Sequence, residues 1–181
     1  MNSEYIRWIP RLEIFRYHDS DDRISTLGHE GVTLKEINED FLNRFISYQR
    51  IDKNIALNVG INIMWNLLAG AGGTVFNNAN TNLLIGDSTA AVAATQLGLQ
   101  ASTNKTAQGM DSSYPASGSS QQIIFRSTFG TTAAAYAWNE LVCANGNNPP
   151  TTGIALNRVV QPMGTKPNTT SWIALLTIQL Q

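Results

Sequence analysis

The chain has 181 residues, a mass of 19.7 kDa and a formal net charge of -1, with a calculated pI near 6.1. This length suits one domain with an extension and is long enough to bury a hydrophobic core. A nearly neutral chain lacks the clustered positive charge that displaces counterions from phosphates, so we expect no nucleic-acid partner. The single cysteine, Cys143, cannot form an internal disulfide, and its apolar neighbours indicate a buried thiol.

Neither an export signal nor a membrane span is expected. The first residues carry charges at Glu4, Arg7, Arg11 and Glu13, where a secretory signal would be apolar. Residues 55–68 are mostly apolar, but a bilayer-spanning helix needs about 20 consecutive apolar residues. We therefore interpret this stretch as buried protein and expect no membrane partner.

Charge is distributed very unevenly along the chain. Residues 1–54 hold 8 of the 12 Lys and Arg residues and 10 of the 13 Asp and Glu residues. Depletion of charge is typical of the core of a protein interface, so the remainder of the chain is expected to pack against other copies or another protein. A neutral β-domain that is soluble by itself is the alternative.

The first segment, residues 1–32, is predicted to be an extended arm. Its apolar residues alternate at Leu12 and Ile14, as in a strand, and glycines interrupt it. The arm either contacts a neighbouring subunit or adds a strand to its own sheet. The acidic run at residues 18–22 is interpreted as a solvated turn, because it lacks the alternation and the glycine of a calcium loop.

The second segment, residues 33–70, is predicted to be helical. Thr33 and Glu36 form a capping-box pattern, which marks a helix N-terminus. The helical spacing of Ile37, Phe41, Phe45 and Tyr48 predicts an apolar stripe that docks on the protein's own body or on a partner. Residues 52–69 predict a second, buried helix, although their alternation also fits a strand.

The third segment, residues 71–181, is predicted to be an antiparallel β-domain, with a sandwich or barrel architecture. Short runs rich in β-branched and aromatic residues alternate with Gly, Pro, Asn and Ser clusters. In the last run Trp172, Leu176 and Leu180 share one face at the period of a strand.

No convincing catalytic, metal or cofactor site is found. Gly86-Asp87-Ser88 after an apolar strand is similar to a serine-esterase nucleophile block, but both histidines, His18 and His29, lie upstream of it. We interpret the motif as a strand followed by a turn. Zinc would need His and Cys sets that are absent from the sequence, so we expect no metal, no cofactor and no enzyme activity.

Glu140 is expected to be a structural residue. A carboxylate in an apolar strand is costly unless it is paired, and the body offers Arg126 or Arg158 as its partner.

Several blocks of the body together resemble a known family. They are Ile85-Gly-Asp-Ser-Thr89, Leu99-Gln100, Lys105, Gly109-Met-Asp, Tyr114-Pro115, Phe125-Arg-Ser-Thr-Phe-Gly130, Tyr136-Ala-Trp-Asn-Glu140, Leu156-Asn-Arg158, Met163-Gly-Thr-Lys166 and Ser171-Trp172. In this order, over about residues 54–181, the sequence is similar to small structural proteins of tailed bacteriophages, which include head-decoration, neck and tail-associated components. The resemblance implies a virion component that is assembled in the cytoplasm of the host bacterium.

The expected function is that of a capsid decoration or cement protein, which binds the major capsid protein or other virion subunits. The body would associate with its own copies, for example as a trimer. The expected contact residues belong to the charged first part of the chain: Trp8, Leu12, Ile14, Phe15, Phe41, Phe45 and Tyr48. The alternative is a neck, tail-adaptor or fibre component, with a receptor or glycan stacked on exposed aromatic residues such as Tyr114 or Trp172.

Overall fold

The computed structural model describes residues 7–117, 120–149 and 151–181. The described chain contains ten strands and three α-helices. The strands are β1 (Trp8–His18), β2 (Phe45–Ile51), β3 (Ile55–Ala56), β4 (Asn82–Gly86), β5 (Lys105–Gly109), β6 (Ala116–Ser117), β7 (Gln122–Phe129), β8 (Ala137–Ala144), β9 (Ala155–Thr165) and β10 (Thr170–Leu180). The helices are α1 (Arg23–His29), α2 (Leu34–Asp40) and α3 (Asn58–Leu68), and a short 3-10 turn, Leu42–Arg44, precedes β2.

The strands form two antiparallel sheets of five strands each within the described residues. Sheet A has the order β2-β1-β10-β7-β6, and sheet B has the order β3-β9-β8-β4-β5. Side chains alternate between the two faces of each strand, so one face of each sheet is available for the common core. The prediction of a mainly β, antiparallel sandwich is confirmed.

The core lies between the two sheets and contains a cluster of aromatic rings. Trp138 of β8 contacts Phe129 of β7 and Trp172 of β10, with ring centroids 4.8 and 4.7 Å apart and the rings tilted edge to face. Leu12 and Ile14 of β1 belong to the same buried cluster. Edge-to-face aromatic pairs add about 0.5–1.5 kcal/mol to the free energy of burial, so this cluster ties sheet A to sheet B.

The first segment adds a strand to the protein's own sheet, which was one of its two expected arrangements, and is not a separate arm. Its residues 8–18 form β1, which lies between β10 and β2 and pairs with β10 from Trp8 opposite Leu180 to His18 opposite Thr170. Residues 1–6 of the predicted arm lie outside the described residues. Sheet A takes strands from all three predicted segments, 1–32, 33–70 and 71–181, so these boundaries do not separate independent folding units.

The second segment is helical only in part. The capping box is confirmed, because the Thr33 hydroxyl accepts from the Glu36 backbone N–H while the Glu36 carboxylate accepts from the Thr33 backbone N–H. The prediction that Phe45 and Tyr48 continue the helical stripe is wrong. They lie in β2, where Tyr48 packs on Phe15 of β1 with ring centroids 5.0 Å apart. Both residues are in a strand because their backbone pairs with β1. This pairing joins residues far apart in the chain, so the local helical pattern does not show it.

The second predicted helix is shorter and more exposed than its pattern suggested. Residues 55–56 form β3, which pairs with β9, and α3 begins only at Asn58. One side of α3 packs on the sandwich, and the other side is open to solvent. The expectation that this helix is buried on all sides is therefore wrong.

The helical excursion between β1 and β2 covers the outer face of sheet A. Ile24 of α1 and Ile37 of α2 pack with Tyr17 and Ile173 of the sheet. The acidic run before α1 is not simply a solvated turn. Asp19 is fully buried and accepts from the backbone N–H groups of Ile24 and Ser25, at 2.9 Å each. It therefore holds the first turn of α1 in place.

Candidate functional site

The most prominent exposed apolar surface lies on α3. We use the name α3 face for Ile61, Trp65 and Leu68, which are 38%, 62% and 77% exposed. Their spacing of four and three residues puts them on one side of the helix. Scattered exposed apolar residues are normal on a protein surface, whereas a contiguous group that includes a tryptophan indicates a binding site.

The opposite side of α3 is packed firmly on the sandwich. Ile63 is buried, and a Cβ atom on Gly60 would overlap the backbone of Leu156 in β9. Only glycine permits this close approach of the helix to the strand. The helix is thus positioned by its buried side, and the α3 face is presented on a fixed support, which lowers the entropy cost of binding a partner.

The stretch of chain that carries the α3 face is uncharged. No charged residue lies between Lys53 and Asp87, a range that contains α3 and the mostly exposed loop after it. Within this loop Val75 is 45% exposed. Charge is depleted at the centre of protein interfaces, because each desolvated charge must be compensated. The α3 face therefore has the composition of an interface centre.

An apolar groove adjoins α3 at one end of the sandwich. It has a volume of about 410 Å³, and its walls include Trp8, Met64, Ile123, Leu156, Ile178 and Leu180. Met64 belongs to α3, so the helix forms part of the groove wall. The groove extends the apolar surface from α3 towards the ends of β1 and β10.

The structure does not bring the seven predicted contact residues together as one surface. Leu12 and Ile14 are completely buried in the core, and Phe41 is nearly so. Trp8 and Phe15 are half-buried, and Trp8 lines the groove beside α3. Leu12 and Ile14 therefore cannot contact a partner, because the core of the sandwich already surrounds them.

Phe45 and Tyr48 are the two predicted contact residues that are exposed. They lie on β2, at the edge of sheet A, and are 37% and 45% exposed. The Tyr48 hydroxyl donates a hydrogen bond of 2.7 Å to Oε1 of Glu13. This edge is a second apolar surface, but it is interrupted by the charged side chains of β1 and β2.

Sequence reasoning missed the α3 face. The spacing of Ile61, Trp65 and Leu68 and the absence of charge around them were both visible, but the same features also suit a fully buried helix. Only the packing of α3 against β9 distinguishes the exposed side from the buried one.

Glu140 pairs with one of its two predicted partners. Its Oε2 accepts a hydrogen bond of 2.7 Å from Nε of Arg158, and both side chains are completely buried. The carboxylate also accepts from the backbone N–H groups of Gln100 and Ala101, at 2.7–3.1 Å. Because these donors surround it and it is buried, the Glu140 carboxylate has a structural role and is not directed at solvent.

Arg126, the other predicted partner of Glu140, forms a different pair. Its Nε lies 3.0 Å from Oδ2 of Asp111, and both side chains are completely buried. Asp111 also accepts from the backbone N–H and the hydroxyl of Thr128, at 2.9 and 2.8 Å, and Nη1 of Arg126 donates to the Val32 carbonyl at 2.7 Å. This network joins β7 to the helical excursion, which explains why Arg126 is not available to Glu140.

The Gly-Asp-Ser block spans the last residue of β4 and the first two residues of the segment that follows it. Oγ of Ser88 accepts from the backbone N–H of Ala90 at 3.2 Å, and Asp87 accepts from the Asn104 side-chain amide at 2.7 Å. Of the aromatic residues considered for glycan stacking, Trp172 is 3% exposed and belongs to the core. A sugar ring cannot stack on it without unpacking the sandwich.

In residues 7–117, 120–149 and 151–181, three or more His, Cys, Asp or Glu side chains nowhere converge in an arrangement suited to a metal ion. Over the same part of the chain, each helix is too short or too polar to cross a bilayer. In comparisons with models of protein families, with curated proteins and with solved structures, nothing matched this chain.

Proposed function

We propose that this chain is a non-enzymatic structural protein of a tailed-phage virion, which binds the major capsid shell as a decoration subunit through its α3 face. The observation that carries the proposal is the exposed, charge-free side of α3, with Trp65 62% exposed at its centre. An exposed tryptophan contributes binding affinity but no catalysis, and a decoration subunit requires only binding.

The energetics favour burial of this surface. Burying one large apolar side chain is worth about 1.5–3 kcal/mol, and no charge between Lys53 and Asp87 has to be desolvated with it. A capsid shell presents the same complementary site in many copies. A rigid helix face of modest size can therefore decorate the shell densely.

The α3 face replaces the arm as the proposed anchor. Residues 8–18 are committed to sheet A, where β1 pairs with both β10 and β2. The resemblance to phage structural proteins covers about residues 54–181, and α3 lies inside that range. The proposed contact surface and the resemblance thus concern the same part of the chain.

A particle-binding assay tests the proposal. Trp65→Asp puts a charge at the centre of the α3 face and is expected to reduce binding to undecorated virus particles at least tenfold. Leu42→Asp is the matched control, because Leu42 is 73% exposed but lies in the 3-10 turn before β2. Normal binding of the Trp65 variant, with a melting temperature like that of the wild type, would show that the α3 face is not the anchor.

The abundance of the protein in purified virions tests the location separately. A decoration subunit is expected at a copy number comparable with that of the major capsid protein, by quantitative mass spectrometry. A copy number far below that of the shell would instead indicate a neck, tail-adaptor or fibre component. Complete absence from purified virions would rule out a structural role in the particle.

A further inference from the structure

A second groove lies at the β2 edge of sheet A. It contains one positive charge that has no carboxylate partner in the described part of the chain. It lies between β1, β2, the end of β9 and the connection from β9 to β10, and its volume is about 460 Å³. Arg16, Ile46, Pro162, Pro167 and Trp172 are among the residues that line it. Its size is within the range of small-molecule sites, which span about 300–1,000 Å³.

Arg16 is held in this groove by uncharged groups. Nη1 donates to Oγ of Ser47 at 3.1 Å, and Nη2 donates to Oε1 of Gln49 and to the carbonyl of Met163, at 2.5 Å each. The guanidinium carbon lies 4.5 Å from the ring centroid of Trp172, a cation–π contact. These contacts orient the guanidinium but do not neutralise it.

The other enclosed arginines of the sandwich have carboxylate partners. Arg126 pairs with Asp111 and Arg158 pairs with Glu140, whereas Arg16 forms no ion pair with any residue that the structure describes. Burial lowers the pKa of Arg16, because desolvation disfavours its charged form. Partly buried charges are ordinarily paired, so the groove has an electrostatic preference for a negative group.

The walls of the groove restrict the shape of the anion. Ile46, Pro162 and Pro167 contribute apolar surface, and Arg16 is the only charged residue in the lining. Trp172 is 3% exposed, and its indole Nε1 is buried without a hydrogen-bond partner among the described residues. One positive charge in a largely apolar lining suits a monoanion with an apolar body better than a multiply charged phosphate.

We infer that this groove is a binding site for a carboxylate carried on a small apolar or aromatic body, with the guanidinium of Arg16 as its anchor. The carboxylate accepts a charge-assisted hydrogen bond from Nε–H or from the remaining Nη1–H of Arg16, because both Nη2 hydrogens are already donated to the protein. The apolar body packs against the proline-lined walls. The site is separate from the α3 face and does not depend on the proposed role in the virion.

Phenylacetate and phenylacetamide provide the first test, because they differ in charge but hardly in shape. Titration of the intact wild-type protein, followed by NMR of the four tryptophan indole N–H signals, is expected to give at least tenfold tighter binding of phenylacetate. The largest shift should occur at Trp172. The inference would be overturned if the two probes bound equally well, or if phenylacetate did not bind at tens of millimolar. It would also be overturned if only the other tryptophans showed shifts.

A matched pair of variants provides the second test. Arg16→Met keeps the length of the side chain and removes its charge, and it is expected to abolish the preference for phenylacetate. Arg11→Met is the control, because Arg11 lies on the same strand but is paired with Glu13 at 3.1 Å. If Arg16→Met does not fold, the comparison of the two probes on the wild-type protein still decides the question. A folded Arg16 variant that retains the preference would overturn the inference.

Discussion

Gly86 and Glu140 lie so close together that a Cβ atom on Gly86 would overlap the Glu140 carboxylate. They are direct neighbours across β4 and β8. Gly86 is also the glycine of the Gly-Asp-Ser block. The close approach of Glu140 explains why glycine occupies this position, and the explanation needs no catalytic role for the block. Glycine at this position leaves room for a carboxylate that is buried together with Arg158.

We predict that Gly86→Ala destabilises the protein by about 1–3 kcal/mol, the usual cost of overpacking a core. Gly109→Ala is the control on the adjacent strand, because a Cβ atom there meets only the Asn82 side chain, at 3.9 Å. Chemical denaturation of both variants measures the difference. Equal free energies of unfolding for the two variants would contradict the proposed overlap.

Glu140→Gln is expected to lower the free energy of unfolding by about 3–5 kcal/mol, because it leaves the buried charge of Arg158 without a counter-ion. Asp52→Asn removes the partner of Arg50 in an exposed pair and should have little effect. Thermal unfolding of both variants is the measurement. An unchanged melting temperature for Glu140→Gln would mean that the buried pair does not stabilise the fold.

Lys166 should make the stability depend on pH. Its Nζ donates to the carbonyls of Gly130 and Thr131, at 2.6 and 3.1 Å, and burial lowers its pKa from about 10.5 to about 8. Between these two values the unfolded chain holds the proton and the folded chain does not, so stability rises with pH, with a slope of at most about 1.4 kcal/mol per pH unit.

The Lys166 contribution is isolated by comparison with Lys166→Met. Free energies of unfolding measured between pH 8 and 9.5 should rise more steeply for the wild type than for this variant. This window lies below the ordinary pKa of Tyr17, 10.0, which burial raises to about 12 in the folded chain. Parallel curves for the two proteins would refute the role of Lys166.

Cys143 should not react in the folded protein. It is completely buried, and burial raises the pKa of its thiol well above the ordinary value of 9.0. Because the thiolate is the reactive form, iodoacetamide at pH 8 is expected to modify Cys143 only after unfolding in guanidinium chloride. Stoichiometric modification of the native protein within minutes would show that β8 opens readily.

Much of the fold could be read from local patterns. The alternation in residues 172–180 predicted β10, and the turn-rich composition of the body predicted an antiparallel sandwich, because strand period and turn chemistry are local properties. The Thr33–Glu36 capping box predicted the start of α2 for the same reason. The concentration of charge in residues 1–54 was likewise visible without any structure.

The sequence alone thus determined the β-rich class, the helix cap and the charge-poor body of this protein. Tertiary structure decided the rest: that β1 lies inside sheet A, that Phe45 and Tyr48 join a strand, and that Arg126 pairs with Asp111 instead of Glu140. It also decided that α3 turns Trp65 towards solvent. The physical reason is that strand neighbours, ion-pair partners and the buried side of a helix depend on contacts between residues far apart in the chain, which local periodicity does not encode.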